Sequence, residues 1–212
     1  LYYPIYLEVA GMNVVVIGGG TIAERKVLTM VEYGAKVTVI SPNLTNTLND
    51  LVKKGTISYI PREYQYGDLK EAFLVVGATD KESVNEAVSK EGKERGILCN
   101  IVDDIPKSNY IVPSIVQQGD LQIAISTNGK SPAMARVLKE QLRQQFGPEY
   151  AIFLSIMGEI RNRAKLEIGN EKDRAVVFEE IVASDVLDLC KEDPKRAEEK
   201  AFKILQSFVE RA

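Results

Sequence analysis

The residues of this chain best suited to chemistry begin with Gly18, Gly20 and Ala23, set in NVVVIGGGTIAERK (residues 13–26). A Gly-x-Gly-x-x-Ala turn between a strand and a helix is able to hold a pyrophosphate. Gly18 permits the tight turn, Gly20 lets backbone N–H groups approach the phosphates, and Ala23 allows close packing of helix on strand. The phosphates would lie at the positive end of the helix dipole, beside Thr21 and Ile22. The other reading is an ordinary glycine turn; the strand–turn–helix context is what favours dinucleotide binding. A second feature is negative, for the 212 residues contain no histidine. That excludes Ser-His-Asp chemistry, imidazole bases and ordinary zinc sites together. Proton transfer then falls to carboxylates, Lys, Tyr or Cys. Cys99 and Cys190 are too few and too separated for a disulfide framework or a thiol metal site, so no metal site is expected.

The elements that position these residues follow from hydrophobic patterning. Leu1–Ala10 reads as an extended lead-in, with Pro4 excluding helix. Val14–Ile17 is an apolar run typical of a strand buried on both faces, followed by helix TIAERKVLTMVEYG and a second strand, Lys36–Ile40. An NAD-binding unit usually ends that strand in Asp or Glu for the ribose hydroxyls. Ser41-Pro42 stands there instead. The acid that would repel the 2′-phosphate of NADP is missing, and no Arg is present to accept one; NAD is the cofactor expected. A helix over Asn43–Lys54 and strands over Ile57–Ile60 and Ala72–Gly77 come next. The helix Lys81–Arg95 has Asp80 as its candidate N-cap. Thr79 is either a turn residue or a cofactor contact at the carboxyl edge of the sheet. Ile97–Val102 makes a fifth strand. This alternation predicts an α/β fold with a mostly parallel, doubly wound Rossmann-type sheet. Gly18–Ala23, Ser41, Thr79 and Asn100–Asp103, with Val102 touching the cofactor, should converge in the crevice at its carboxyl ends.

After Pro106 the pattern changes. Tyr110–Gln118 and Leu121–Thr127 read as a hairpin. Ser131 is placed to cap a helix whose first residue is Pro132 and which runs to about Phe146. Arg136, Lys139 and Arg143 share one face of that helix, a solvated basic stripe expected to be partly paired through Arg136 and Glu140. From Gly147 on, helices over Tyr150–Leu166, Val176–Leu189 and Arg196–Val209 are expected, with a break at Asp193-Pro194. With no strands to cover, they should form a small helical subdomain or pack on a second subunit. A net charge of −3 without a basic tract argues against a nucleic-acid partner. No apolar run reaches membrane-span length, and LYYPIYLEV lacks the basic start of a signal peptide; a cytosolic protein is expected.

The segments GGGTIAERK, ATDKESVN, CNIVDD and NYIVPSIVQQGDLQIAISTNGKSPAMARVLKEQL resemble, in order and spacing, the precorrin-2 dehydrogenase family, the module that also forms the amino-terminal part of siroheme synthase. The resemblance implies oxidation of precorrin-2 to sirohydrochlorin with NAD in siroheme biosynthesis; some members also insert ferrous iron. It implies an NAD-binding Rossmann domain (1–113), a dimerisation region of hairpin and helix (114–146) and a helical C-terminal domain (147–212), in a homodimer. The family's key acid falls on Asp103. Without histidine, a carboxylate at a strand's carboxyl end is also a reasonable base for the proton that leaves during dehydrogenation. Asp104 reads as a turn residue. Asn100 matches a position near the tetrapyrrole, or satisfies backbone at the strand end. Ser126, Thr127, Lys130, Ser131 and Arg136 lie where the family binds its carboxylate-rich substrate. Thr127 falls where siroheme synthases often have serine. The sequence contains no methyltransferase module, so a separate upstream methyltransferase is expected.

Two other classes fit parts of the pattern. One is a non-catalytic NAD-sensing module, which needs neither a base beside the nicotinamide nor a cationic substrate pocket. The other is a metal chelatase with a vestigial NAD site, against which the intact Gly18, Gly20 and Ala23 argue. Fold alone does not decide between them.

Overall fold

Asn13–Ile17 forms β1, the central strand of a five-stranded parallel sheet of order β3-β2-β1-β4-β5. Its partners are β2 (Lys36–Ile40) on one side and β4 (Leu74–Gly77) on the other. Strands β3 (Ser58–Ile60) and β5 (Leu98–Ile101) lie outside them. The structure is a computed structural model and describes residues 2–210. Alternation along β1 explains the layers. Val14 and Val16 pack with Ala23 and Val27 of α1 (Thr21–Glu32) and Leu48 of α2 (Asn46–Lys53). Val15 and Ile17 pack on the opposite side with Val88 of α3 (Glu82–Arg95), Cys99 and Ile101. Each of the Val, Ile and Leu side chains among them contributes roughly 1.5–3 kcal/mol by leaving water. An apolar run, rather than an alternating one, is what a doubly covered strand requires.

The free edge of β5 is closed by the segment that follows it. Asn109 donates its backbone N–H to Cys99 O at 2.9 Å and its side-chain Oδ1 accepts from Cys99 N at 2.7 Å. Ser108 Oγ accepts from Ile101 N at 2.9 Å. An edge that would otherwise template pairing with another chain is thereby blunted.

Several expected elements are trimmed. The helix expected from Asn43 starts at Asn46, because Thr45 Oγ1 accepts from Leu48 N and fixes the cap. The strands expected from Ala72 and Ile97 start at Leu74 and Leu98. Asp80 does not cap α3; Lys81 holds the cap position with no side-chain bond, and Lys81 N donates instead to Thr79 Oγ1 at 3.2 Å. The lead-in forms neither helix nor strand over residues 2–10, and Leu1 lies outside the described residues.

The chain divides into two compact units, Leu1–Val112 and Pro113–Ala212. The second begins with the antiparallel hairpin of β6 (Ser114–Gln118) and β7 (Leu121–Ile125), turning at Gly119 with φ +57°. Then come α4 (Pro132–Gln145), α5 (Glu149–Glu167), α6 (Glu171–Ala183), α7 (Val186–Glu192) and α8 (Pro194–Val209). Ile160, Ile181, Val186 and Leu205 are central to its core. The single helix expected over Val176–Leu189 is two. Ser184 leaves the helical conformation, donates Oγ to Ile181 O at 2.7 Å and accepts from Val186 N, the local competition by which serine interrupts helices. No helix among the described residues is long and apolar enough to cross a membrane.

Candidate cofactor and catalytic site

The chain order reverses between β1 and β4, and the glycine turn leaves β1 at that switch point. Gly18 has φ +116°, and a Cβ there would collide with Ala78 O at the end of β4. The neighbouring strand ends are laced together: Gly18 N donates to Ile40 O at 3.0 Å and Ala78 N to Ile17 O at 2.8 Å. Gly20 occupies the N-cap of α1 and, having no side chain, caps none of its first-turn amides. Nothing lies within 4 Å of where its Cβ would stand. The uncapped end of α1 thus meets open space at the wall of a cavity of about 850 Å³, with N–H groups and helix dipole free for an anion.

That cavity gathers Gly18, Gly20, Thr21, Ile22, Ser41, Thr79, Val102 and Asp103. Ala23 is not in its wall; it is fully buried beneath α1, where a larger side chain would lift helix from strand. Ser41 is buried, with Oγ donating to Asn43 O at 2.8 Å and its carbonyl accepting from Tyr59 Oη at 3.0 Å. Thr79 O accepts from Asn85 Nδ2 at 3.0 Å, while the buried Asn85 Oδ1 has no partner among the described residues. The residues present fit a dinucleotide: a bare glycine cradle, an uncapped helix start and a polar rim.

Asp103 lines the same cavity, just past β5. It has φ +59° within a tight turn closed by Asp104 N donating to Ile101 O at 3.1 Å. This is a left-handed conformation that aspartate tolerates better than most residues. It leaves the carboxylate exposed at the cavity. Asp104 instead closes the turn, accepting from Lys107 N and pairing with Lys107 Nζ at 2.8 Å; that ion pair holds its carboxyl below the usual range. Asn100 does not line the cavity, since its Nδ2 donates to Tyr110 O at 3.1 Å and steadies the returning segment. Lys26, half-buried on α1, is a cation that motif reasoning passed over. Burial pushes its pKa down, Arg25 adds to this, and the Asp103 carboxylate opposes both.

Motif reasoning also missed Gly19, Glu63, Tyr64 and Lys81. A Cβ on Gly19 would collide with Asn43 O; the third glycine of the run was the available signal. Glu63, Tyr64 and Lys81 line the cavity from loops without periodicity, and nothing in the sequence marks them.

The remaining candidates belong to the second unit. Ser126 Oγ accepts from Asn128 N at 3.0 Å, Thr127 Oγ1 from Ser131 N at 3.1 Å, and Ser131 Oγ from Met134 N at 3.2 Å. These hydroxyls shape the turn entering α4. Lys130 and Arg136 are exposed. The expected Arg136–Glu140 pair is absent among the described residues; both side chains are exposed, where helix pairs gain little from closing.

A family profile described as putative NAD(P)-binding matches residues 5–114. The chain belongs to this NAD(P)-binding family. A second profile, the sirohaem biosynthesis protein central region, matches residues 118–145. Siroheme synthase 1 of Aeromonas salmonicida is 35% identical over 88% of this chain and 40% of its own length. Siroheme synthase 2 of Yersinia enterocolitica is 32% identical over 93% of this chain and 42% of its own. The chain therefore spans about 40% of the length of these curated relatives. The solved structure of SirC, a precorrin-2 dehydrogenase, superposes with a TM-score of 0.80 at 27% identity, covering 95% of this chain and all of that one. The family resemblance read from the sequence is borne out, as is the α/β fold with a parallel sheet, hairpin and C-terminal helices.

Proposed function

We propose that the chain is an NAD-dependent precorrin-2 dehydrogenase, forming sirohydrochlorin in siroheme biosynthesis. The observation that carries this reading is one cavity lined both by an uncapped, glycine-led helix start and by Asp103. NAD, when bound, supplies the hydride acceptor. Gly18 and Gly20 shape the bed for its pyrophosphate, and the N–H groups of Thr21 and Ile22 offer hydrogen bonds to it. Asp103 accepts the proton released from the carbon framework, with Lys26 compensating its charge. Ser126, Thr127, Lys130, Ser131 and Arg136 supply hydroxyls and cations for the substrate carboxylates, and Asn100 holds the segment that follows the catalytic turn. Residues 114–146 serve as the dimerisation region and 147–212 as the helical domain of a homodimer. A cytosolic setting is supported by two buried, unpaired thiols, Cys99 and Cys190.

The test is anaerobic incubation with precorrin-2 and NAD, following NADH and the product spectrum. Asp103→Ala should lower turnover by about 10²-fold or more while leaving NAD affinity within about twofold. NAD binding without any NADH from the intact chain would refute the dehydrogenase reading and favour a sensor.

A further inference from the structure

We propose that Glu63 is the carboxylate that selects NAD over NADP, acting from the end of β3 in place of the acid missing at the end of β2. The inference rests on the dinucleotide reading of the cavity and adds a specificity residue to it. In a sheet of this order the pyrophosphate lies at the glycine turn after β1, and the adenosine ribose lies beside the end of β2. Ser41 at that point cannot repel a phosphate, because it is neutral and buried with its hydroxyl committed to Asn43 O. The ends of β2 and β3 are joined by Ser41 N donating to Ile60 O at 3.3 Å. Glu63 follows three residues later and lines the same cavity as Ser41.

Its position is fixed by its neighbours. Arg62 Nη1 donates to Glu63 O at 2.9 Å, and the same guanidinium makes a two-pronged pair with Asp68, both contacts 2.7 Å. Lys81, from the loop after β4, pairs with the Glu63 carboxylate. Of these two cations Lys81 lines the cavity and would welcome a 2′-phosphate, but it is already neutralised by Glu63, and Arg62 beside it is neutralised by Asp68. A phosphate arriving here meets the Glu63 charge, or must take Lys81 from it; ribose hydroxyls can instead donate to Glu63. Specificity arises from an unfavourable encounter with the wrong ligand as much as from a favourable one with the right ligand.

Calorimetric titration of the full chain with NAD and with NADP, without tetrapyrrole, reads this directly and independently of catalysis. Wild type should prefer NAD. Glu63→Gln should cut the ratio of the two affinities by about tenfold, Glu63→Asp should largely keep it, and Lys81→Met should not shift it toward NADP. If Glu63→Gln weakens both dinucleotides by the same factor, or wild type shows no preference, Glu63 is only a structural ion-pair partner and the inference is overturned. Those outcomes leave the dinucleotide site standing, whereas a wild type that binds neither molecule overturns both readings.

Discussion

A methyl group added at Gly19 meets backbone, and one added at Gly20 meets nothing. The difference separates a glycine required by the fold from one required by a ligand. Gly19 is pinned by Thr45 N donating to its carbonyl at 3.0 Å, with Asn43 O against its Cα. Gly19→Ala must push the loop after β2 away, and overpacking of this kind costs about 1–3 kcal/mol; a urea melt should show it as a lower midpoint. Gly20 has φ −81°, which alanine adopts freely, so Gly20→Ala should alter stability by under ~1 kcal/mol. Its methyl would stand at the cavity wall where the phosphates approach. NAD affinity should therefore fall by about tenfold with the melt nearly unchanged. Undiminished affinity would mean that the pyrophosphate does not lie against α1. The sequence motif names Gly18 and Gly20 but is silent on Gly19, because its constraint comes from a loop some twenty residues onward.

At the level of elements, α3 is tied to the connection between β3 and β4 by Glu91. Its side chain is fully buried and accepts from Tyr64 Oη, from Gly67 N at 2.9 Å and from Arg95 Nε at 2.6 Å. Burial alone would raise its pKa, but the hydrogen bonds from Tyr64, Gly67 and Arg95 outweigh it and hold the carboxyl below its ordinary range. A depressed folded pKa gives stability that is present above the unfolded value of about 4.3 and is lost as pH falls through the folded value. Glu91→Ala strands its donors and should cost about 3–5 kcal/mol. Urea melts at descending pH should show wild type losing more stability below that unfolded value than the variant does. Equal pH profiles would mean that Glu91 is not the linked group. In sequence, Glu91 sits in KEGKER and looks like any solvated helix charge. What buries it is Tyr64 in an aperiodic loop, a contact that local patterning does not encode. The strands β1, β2 and β4 were legible because double burial leaves its mark on most of their residues. The break at Ser184 was not, since serine is tolerated within helices and its hydrogen bonds to Ile181 and Val186 decide the matter only in three dimensions.

Across the whole molecule the two units divide the expected labour, with the cavity proposed for the dinucleotide lined by residues of the first. Lys130→Ala and Arg136→Ala should accordingly raise the tetrapyrrole KM while NAD affinity stays unchanged. A change in both would show that these cations serve folding rather than substrate. The association state is argued from α4. Ala135 is its one buried residue among those described, and Met134 and Val137, at i and i+3, are 49% and 50% exposed. Neighbouring β6 and β7 are likewise only half-buried over most of their length. A hairpin and helix that leave apolar side chains in water lower their free energy by covering them, and a second copy of the same surface is the simplest closed arrangement. Sedimentation should find a dimer for wild type. Met134→Glu combined with Val137→Glu should give a monomer with unchanged helix content, because neither side chain belongs to the core of α5–α8. A monomeric wild type, or a dimer untouched by the two charges, would remove residues 114–146 from that role.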